Sequence, residues 1–221
     1  MLVMLLRSCL TFVLELFYGP LAPLYPWLTH LLFGRNWHEW RRSVLPWIHE
    51  ARTIADIGCG PGDLAVDLAT PERRVLAIDR SRSMLHLARR RLSRIGKRLP
   101  IAILCADARA LPIADSSLDA VVMTFPTAVV LDPRTHAEIA RVLRPGGTFV
   151  TVVAVSPKEW PWWLRPCSPR LRRLMSTAEE GSAYALPLPG DTKLMGQWIR
   201  TAHPSGTVYL WVAQRVGTSD A

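Results

Sequence analysis

Cysteine is scarce in this 221-residue chain, and lysine is scarcer still. The four cysteines are Cys9, Cys59, Cys105 and Cys167, and no two of them have the CxxC spacing that zinc sites use. The sequence therefore indicates neither a bound metal nor a disulfide framework. Reduced thiols are typical of the cytoplasm, which is the location that we expect.

The positive charge comes almost entirely from arginine, because Lys97, Lys158 and Lys193 are the only lysines. The formal net charge is +9. Three interpretations are open: the arginine-rich composition of a GC-rich genome, contact with an anionic membrane, or a nucleic-acid partner.

No run of apolar residues reaches the roughly 18 to 20 residues that a membrane-spanning helix needs. Residues 2–18 come nearest, but Arg7 and Glu15 interrupt them. With Thr11, these two side chains fall four residues apart on one stripe of a predicted helix. Such a helix packs on its own domain, on a partner or on a bilayer surface. Because Arg7 lies inside the apolar stretch, we do not expect a cleaved secretory signal.

From Thr53 onward, short apolar runs alternate with helical patterns. Strand runs that are apolar at consecutive positions indicate burial on both faces, as in a parallel sheet covered by helices. We predict strands at 53–57, 75–79, 101–105, 119–124 and 147–155 and helices at 62–69, 82–95 and 133–143. Two further runs, 198–203 and 207–212, predict an antiparallel hairpin at the end of the sheet.

A glycine-rich turn follows the first predicted strand, in the GxGxG pattern of Gly58, Gly60 and Gly62. Glycine lets the backbone approach a ligand closely and adopts positive φ angles. Dinucleotide enzymes usually have GxGxxG, with a pyrophosphate at the start of the following helix. Asp63 occupies that start here and would repel a pyrophosphate, whereas S-adenosylmethionine carries no phosphate.

Three aspartates lie in register at or just beyond the ends of three consecutive predicted strands and define a nucleoside-binding cleft. Asp56 is placed to accept a hydrogen bond from the cofactor's ammonium group, and Asp79 to accept bonds from the ribose hydroxyls. Asp107 can accept a bond from the adenine amine, while the backbone amide of Ala108 serves a ring nitrogen. A lone aspartate after a strand is more often a helix cap or turn residue, but three in register favour a cofactor site.

The stretch 54–150 resembles the class I S-adenosylmethionine-dependent methyltransferases, in particular the ubiquinone/menaquinone-methyltransferase-like group. The matching segments are Asp56–Gly62, Asp79–Leu85, Ala106–Pro112, Ser117–Val121 and Arg141–Gly147. The resemblance implies an α/β fold: a doubly wound, mostly parallel, Rossmann-like sheet of seven strands that ends in the antiparallel hairpin. It also implies a methyltransferase enzyme with S-adenosylmethionine as cofactor. With the spacing, it predicts cofactor contacts at Asp56, Gly58, Cys59, Gly60, Gly62, Asp79, Arg80, Met84, Asp107, Ala108 and Thr124.

Two regions are expected along the chain. Residues 1–50 form a helical cap, which is also a candidate membrane-surface segment. Residues 51–221 form the methyltransferase domain, with a variable insertion at about 156–190. Within that insertion, the Trp-, Arg- and Pro-rich segment 157–173 has three interpretations: a substrate lid, an interfacial membrane patch, or an irregular loop.

The acceptor is expected to be a small, apolar molecule such as a lipid or a quinone-like ring. Segment Tyr25–Arg42 resembles the entry helices of quinone-methylating members, which usually have an aspartate where this chain has Pro26. Thr124–Thr127 lacks the Asn/Asp-Pro-Pro-aromatic motif of enzymes that methylate nucleic-acid amino groups, so no specific nucleic acid is expected. Phe125 is expected either to line the pocket or to pack in the core. Six histidines are present, and none is assigned as a catalytic base.

Two other functions remain open from the sequence alone. A nicotinamide-dependent oxidoreductase would share the glycine turn and Asp79, although the spacing and Asp107 count against it. A non-catalytic member of the same fold could serve as an assembly or membrane-docking partner.

Overall fold

The computed structural model describes residues 21–95, 99–159 and 193–217. The predicted helix at 2–18 and most of the predicted insertion at 156–190 lie outside these residues.

The described residues form a seven-stranded sheet in the order β3-β2-β1-β4-β5-β7-β6. Strands β1 to β5 are parallel, and β7 runs antiparallel to both of its neighbours, β5 and β6. The bounds are Thr53–Ile57 (β1), Arg74–Asp79 (β2), Ile101–Cys105 (β3), Leu118–Thr124 (β4), Leu143–Pro157 (β5), Leu194–His203 (β6) and Gly206–Arg215 (β7). This arrangement confirms the predicted fold class, including the terminal hairpin.

Helices cover both faces of the sheet. Their bounds are Tyr25–Phe33 (α1), Asn36–Arg42 (α2), Asp63–Leu68 (α3), Arg82–Ile95 (α4) and Pro133–Val142 (α5), with 3-10 turns at Ala22–Leu24, Leu45–Trp47 and Ala128–Leu131. Neighbouring residues of β4 point to opposite faces: Val122 packs in the core that contains α3, and Val121 in the core that contains α5. Burial on both faces explains why the strands are apolar at consecutive positions.

The fifth strand begins earlier than the predicted residue 147. Leu143 already pairs with Leu118, and the register then shifts before Thr148 pairs with Ala120. Gly146 has a φ of +77° within this irregular stretch. The stretch between Leu143 and Thr148 is therefore an irregularity inside β5 and not a loop in front of it.

The cap helices share the core of the sheet. Trp40 is 1% exposed and packs in the same cluster as Ile54 and Leu210. Its indole nitrogen donates a hydrogen bond of 2.9 Å to the hydroxyl of Ser205, in the turn between β6 and β7. The described part of the cap is thus fixed against the sheet, while the domain boundary near residue 50 stays a prediction.

Candidate active site

A cleft of about 920 Å³ opens at the carboxyl ends of β1 to β4. Because these strands are parallel, their ends lie at one edge of the sheet, where open α/β folds bind ligands. The cap contributes Tyr25, Trp37 and Arg41 to the wall. The predicted cofactor residues that line the cleft are Gly58, Cys59, Gly60, Asp79, Arg80, Asp107, Ala108 and Thr124.

The glycine turn forms the floor of this cleft. The amides of Gly58 and Cys59 both donate to the carbonyl of Ile78, at 2.8 and 3.0 Å. Gly58 and Gly60 have φ angles of +74° and +54°, and a Cβ at either position would meet no atom within 4 Å. The turn therefore leaves open space above the backbone, as close approach of a ligand requires.

Asp79 ties the end of β2 to the glycine turn. One carboxylate oxygen accepts a hydrogen bond of 2.9 Å from the amide of Gly60, and the other accepts one of 2.7 Å from the amide of Ser81. Burial raises the pKa of Asp79, and these amide bonds oppose that shift. Each oxygen can accept a second hydrogen bond, so the carboxylate also fits a ribose diol.

Asp107 is held by Arg109, an ion pair that the sequence analysis missed. The guanidinium donates to both carboxylate oxygens, at 2.9 and 2.6 Å, and the Arg109 amide adds a third bond of 2.9 Å. These bonds hold the pKa of Asp107 well below its usual range. Asp107 is thus a fixed, ionised acceptor, and its second oxygen has capacity for one more donor.

Three predicted cofactor residues do not line the cleft. Gly62 has a φ of +77° and lies so close to α4 that an added Cβ would stand 3.1 Å from the Cβ of Ala88. Met84 is fully buried, and its amide donates to the Ser81 hydroxyl at the start of α4. Asp56 is 1% exposed. Their contact with cofactor stays a prediction.

Asp56 is nevertheless unusual for a buried carboxylate. Neither of its oxygens has a hydrogen-bond partner. Burial raises its pKa to about 7, an effect that the positive charge of Arg41 opposes and that Asp79 and Asp63 reinforce. Buried polar groups normally have hydrogen-bond partners. The two Asp56 oxygens lack one, and a ligand could supply the missing donor.

Asp63 has two cationic neighbours. This is the residue at the start of the helix whose negative charge would repel a pyrophosphate. Arg91 contacts it at 2.6 Å and Arg41 at 3.5 Å. Its repulsion of a phosphate is therefore weaker than that of an isolated carboxylate.

An aromatic stack forms the wall on the β4 side of the cleft. The rings of Trp37 and Phe125 stack at 4.2 Å between centroids, and the ring of Phe33 also stacks against Trp37, at 5.2 Å. Phe125 follows β4 directly and has a φ of +49°, an uncommon angle for a residue with a side chain. It both lines the cleft and packs against the core, so the two alternatives for Phe125 hold together.

No histidine lines the cleft within the described part of the chain. His136 is fully buried, and its Nε2 lies 2.6 Å from the carbonyl of Val130. Burial lowers the pKa of His136, which favours a neutral, structural imidazole.

The residues of the cleft, together with Asp56 next to its lining residue Ile57, fit S-adenosylmethionine. Asp56 offers two unpartnered buried oxygens for an ammonium group, Asp79 a carboxylate for the ribose, and Asp107 a fixed acceptor for the adenine. At Gly58 and Gly60 the floor has open space above the backbone, so no side chain obstructs a ligand there. When bound, this cofactor supplies an electrophilic methyl group.

Comparisons with known proteins agree with this fit. A family described as "Methyltransferase domain" matches residues 54–147. The chain is 31% identical to a demethylmenaquinone methyltransferase of Clavibacter sepedonicus, over 78% of this chain and 74% of that protein. It is 34% identical to a demethylmenaquinone methyltransferase of Symbiobacterium thermophilum, over 66% of this chain but only 60% of that protein's length.

Solved structures agree on the fold. An S-adenosylmethionine-dependent methyltransferase from Thermotoga maritima superposes with a TM-score of 0.61 and 19% identity, over 91% of this chain and 98% of that one. At this identity the likeness shows the fold alone.

Proposed function

Because the chain belongs to the class I S-adenosylmethionine-dependent methyltransferases of the ubiquinone/menaquinone type, we propose that it methylates a planar, apolar ring of the quinone class. The observation that carries this choice of acceptor is the aromatic wall of Trp37 and Phe125 beside Thr124. Stacked rings favour a flat aromatic ligand over an aliphatic one. The names of the relatives support the same class of acceptor.

The chain's contribution to the reaction is alignment. In a reduced quinone the ring carbon is the nucleophile: it forms the new carbon–methyl bond as the sulfur–methyl bond breaks and S-adenosylhomocysteine leaves. The ring carbon then passes its proton to water. Trp37 and Phe125 would hold the ring flat. Orientation of this kind supplies a large share of the rate.

The test has two stages. Calorimetric titration with S-adenosylhomocysteine is expected to show binding, with NADH as the negative control. Labelled S-adenosylmethionine is then incubated with a reduced, prenylated naphthoquinol or with oleate, and label is expected in the quinol alone. Binding without transfer to any quinol would favour the non-catalytic alternative, and label in oleate would contradict the proposed acceptor.

Replacing Trp37 with leucine is expected to raise the KM for the naphthoquinol by about 2- to 10-fold, because a stacking partner contributes about 0.5 to 1.5 kcal/mol. The affinity for S-adenosylhomocysteine should change little. Trp198→Leu is the matched control, since Trp198 lies on β6 and does not line the cleft. Equal KM values for Trp37→Leu and Trp198→Leu would show that Trp37 does not contact the acceptor.

We also propose that the cap contacts an anionic membrane surface peripherally, where a lipid-like acceptor would be found. Leu24, Trp27 and Leu31 are 48%, 63% and 46% exposed at helical spacing, and Tyr25 of the same segment lines the cleft. The net charge of +9 is complementary to anionic lipid. Within the described residues, no helix is both long and apolar enough to cross a bilayer.

Trp27→Ser is expected to reduce co-sedimentation of the chain with phosphatidylglycerol vesicles at low salt. Deletion of residues 1–18 is expected to have the same effect. The protein would lose the area that Trp27 buries in the headgroup region. Met195→Ser is the control, because it removes another exposed apolar side chain, on β6, and should have no effect. If the unaltered chain stays in the supernatant, there is no membrane contact.

A further inference from the structure

Arg41 is a buried cation in the wall of the cleft, and no motif singles it out. Its side chain is 9% exposed, and its Nε is buried without a hydrogen-bond partner. The guanidinium carbon lies 5.9 Å from the centre of the Trp37 ring, and one terminal nitrogen lies 3.5 Å from Asp63. A guanidinium has five N–H donors, so most of the capacity of Arg41 remains open.

Asp63 does not explain why Arg41 is present. Arg91 already contacts Asp63 at 2.6 Å, which is a closer pair than the 3.5 Å contact with Arg41. Asp63 would therefore keep a cationic partner if Arg41 were removed.

A second unpartnered charge lies near Arg41. Asp56 has two buried oxygens without a donor, and the two residues are close enough for the charge of Arg41 to affect the titration of Asp56. Arg41 lines the cleft with an unpartnered Nε, and the unpartnered Asp56 is buried next to Ile57, another residue of the lining. Such a pair matches a ligand that carries both an ammonium and a carboxylate. The planar fork of arginine suits a carboxylate in particular.

We propose that Arg41 binds the carboxylate of the cofactor's methionyl group, as the counterpart of Asp56 at its ammonium. This assignment rests on the proposed use of S-adenosylmethionine and adds a specificity-determining residue from the cap. Cofactor binding would then involve helix α2 as well as the strand ends, and Arg41 would select for an intact amino-acid group.

The test removes the carboxylate from the ligand and the guanidinium from the protein. S-adenosylhomocysteine is compared with S-adenosyl-3-thiopropylamine, which lacks only the carboxylate, in calorimetric titrations of the full chain. The unaltered protein should bind the amine at least about 10-fold more weakly. Arg41→Gln should weaken S-adenosylhomocysteine by a similar factor and leave the affinity for the amine within about twofold.

Arg91→Gln is the matched control, because it removes the other arginine of Asp63 and should leave the preference between the two ligands unchanged. Arg41→Lys keeps the charge without the fork and should restore part of the preference. If Arg41→Gln weakens both ligands equally, Arg41 has a structural role and the proposal is wrong. Equal binding of both ligands by the unaltered protein overturns it without any variant, and binding of neither rejects the cofactor itself.

Discussion

Asp79→Ala is expected to weaken S-adenosylhomocysteine binding by about 100-fold or more. The Asp79 carboxylate accepts hydrogen bonds from the amides of Gly60 and Ser81, so its removal leaves the glycine turn without this anchor. The substitution also removes the proposed acceptor of the ribose hydroxyls. Each hydrogen bond to a charged group contributes about 1.5 to 3 kcal/mol, and two such losses exceed a 100-fold change. Calorimetric titration measures the effect directly.

Asp115→Ala is the matched control for this loss. The Asp115 side chain is 75% exposed and pairs with Arg141 outside the cleft, so its removal should leave the affinity unchanged. Circular dichroism would show whether Asp79→Ala remains folded. Retained affinity in a folded Asp79→Ala protein would contradict the cofactor site at the end of β2.

Asp56→Asn is expected to stabilise the ligand-free protein at pH 8 while weakening its binding of S-adenosylhomocysteine. Burial raises the pKa of Asp56 from an ordinary value near 3.8 to about 7. An ionised carboxylate without hydrogen-bond partners is costly, whereas asparagine keeps the shape and carries no charge. The same change deletes the anion proposed for the cofactor's ammonium.

The pH dependence follows from proton binding. Between about pH 4 and pH 7 the folded state holds the Asp56 proton and the unfolded state does not, so the contribution of Asp56 to stability falls as pH rises. This contribution of Asp56 to the free energy of unfolding is fully present below about pH 4 and is lost above about pH 7. A shift of about 3 pKa units corresponds to roughly 4 kcal/mol as an upper bound.

Urea unfolding of both proteins at pH 5, 6, 7 and 8 measures this difference. The free energy of unfolding of Asp56→Asn minus that of the unaltered protein should grow across this range. Other titrating groups are common to the two proteins and cancel in the subtraction. A constant difference would mean that Asp56 titrates normally.

The alternation of strands and helices was predictable because burial on both faces leaves a local mark in the sequence. Residues at the ends of β2 and β3 were predictable for the same reason: strand ends of a parallel sheet share an edge. Asp79 and Asp107 accordingly both line the cleft. Element ends were less accurate, since Leu143 enters β5 through pairing with Leu118, which no local pattern shows.

The cap side of the cleft was not predictable from local pattern. Trp37 and Arg41 reach the site because the cap packs on the sheet through Trp40, a contact that spans 165 residues of sequence to Ser205. Arg41 also has no distinguishing neighbour in a chain with arginine at most of its basic positions. The one available signal was its position one helical turn after Trp37.

The remaining differences between the predicted and the observed site come from contacts between side chains. The Asp107–Arg109 pair lies only two residues apart, but it depends on the turn geometry after β3, which the sequence pattern does not specify. Gly62 was expected to contact the cofactor because it belongs to the glycine turn. In the structure its close neighbour is Ala88 of α4, a tertiary contact.

The order of the strands has a consequence for synthesis. β7 is the last described strand along the chain, yet it lies between β5 and β6. Until the ribosome has released it, the 15-residue β5 keeps an open edge with its amides and carbonyls unpaired. Such an edge is a template for aggregation, so we expect a prematurely terminated chain to aggregate more readily than the finished protein.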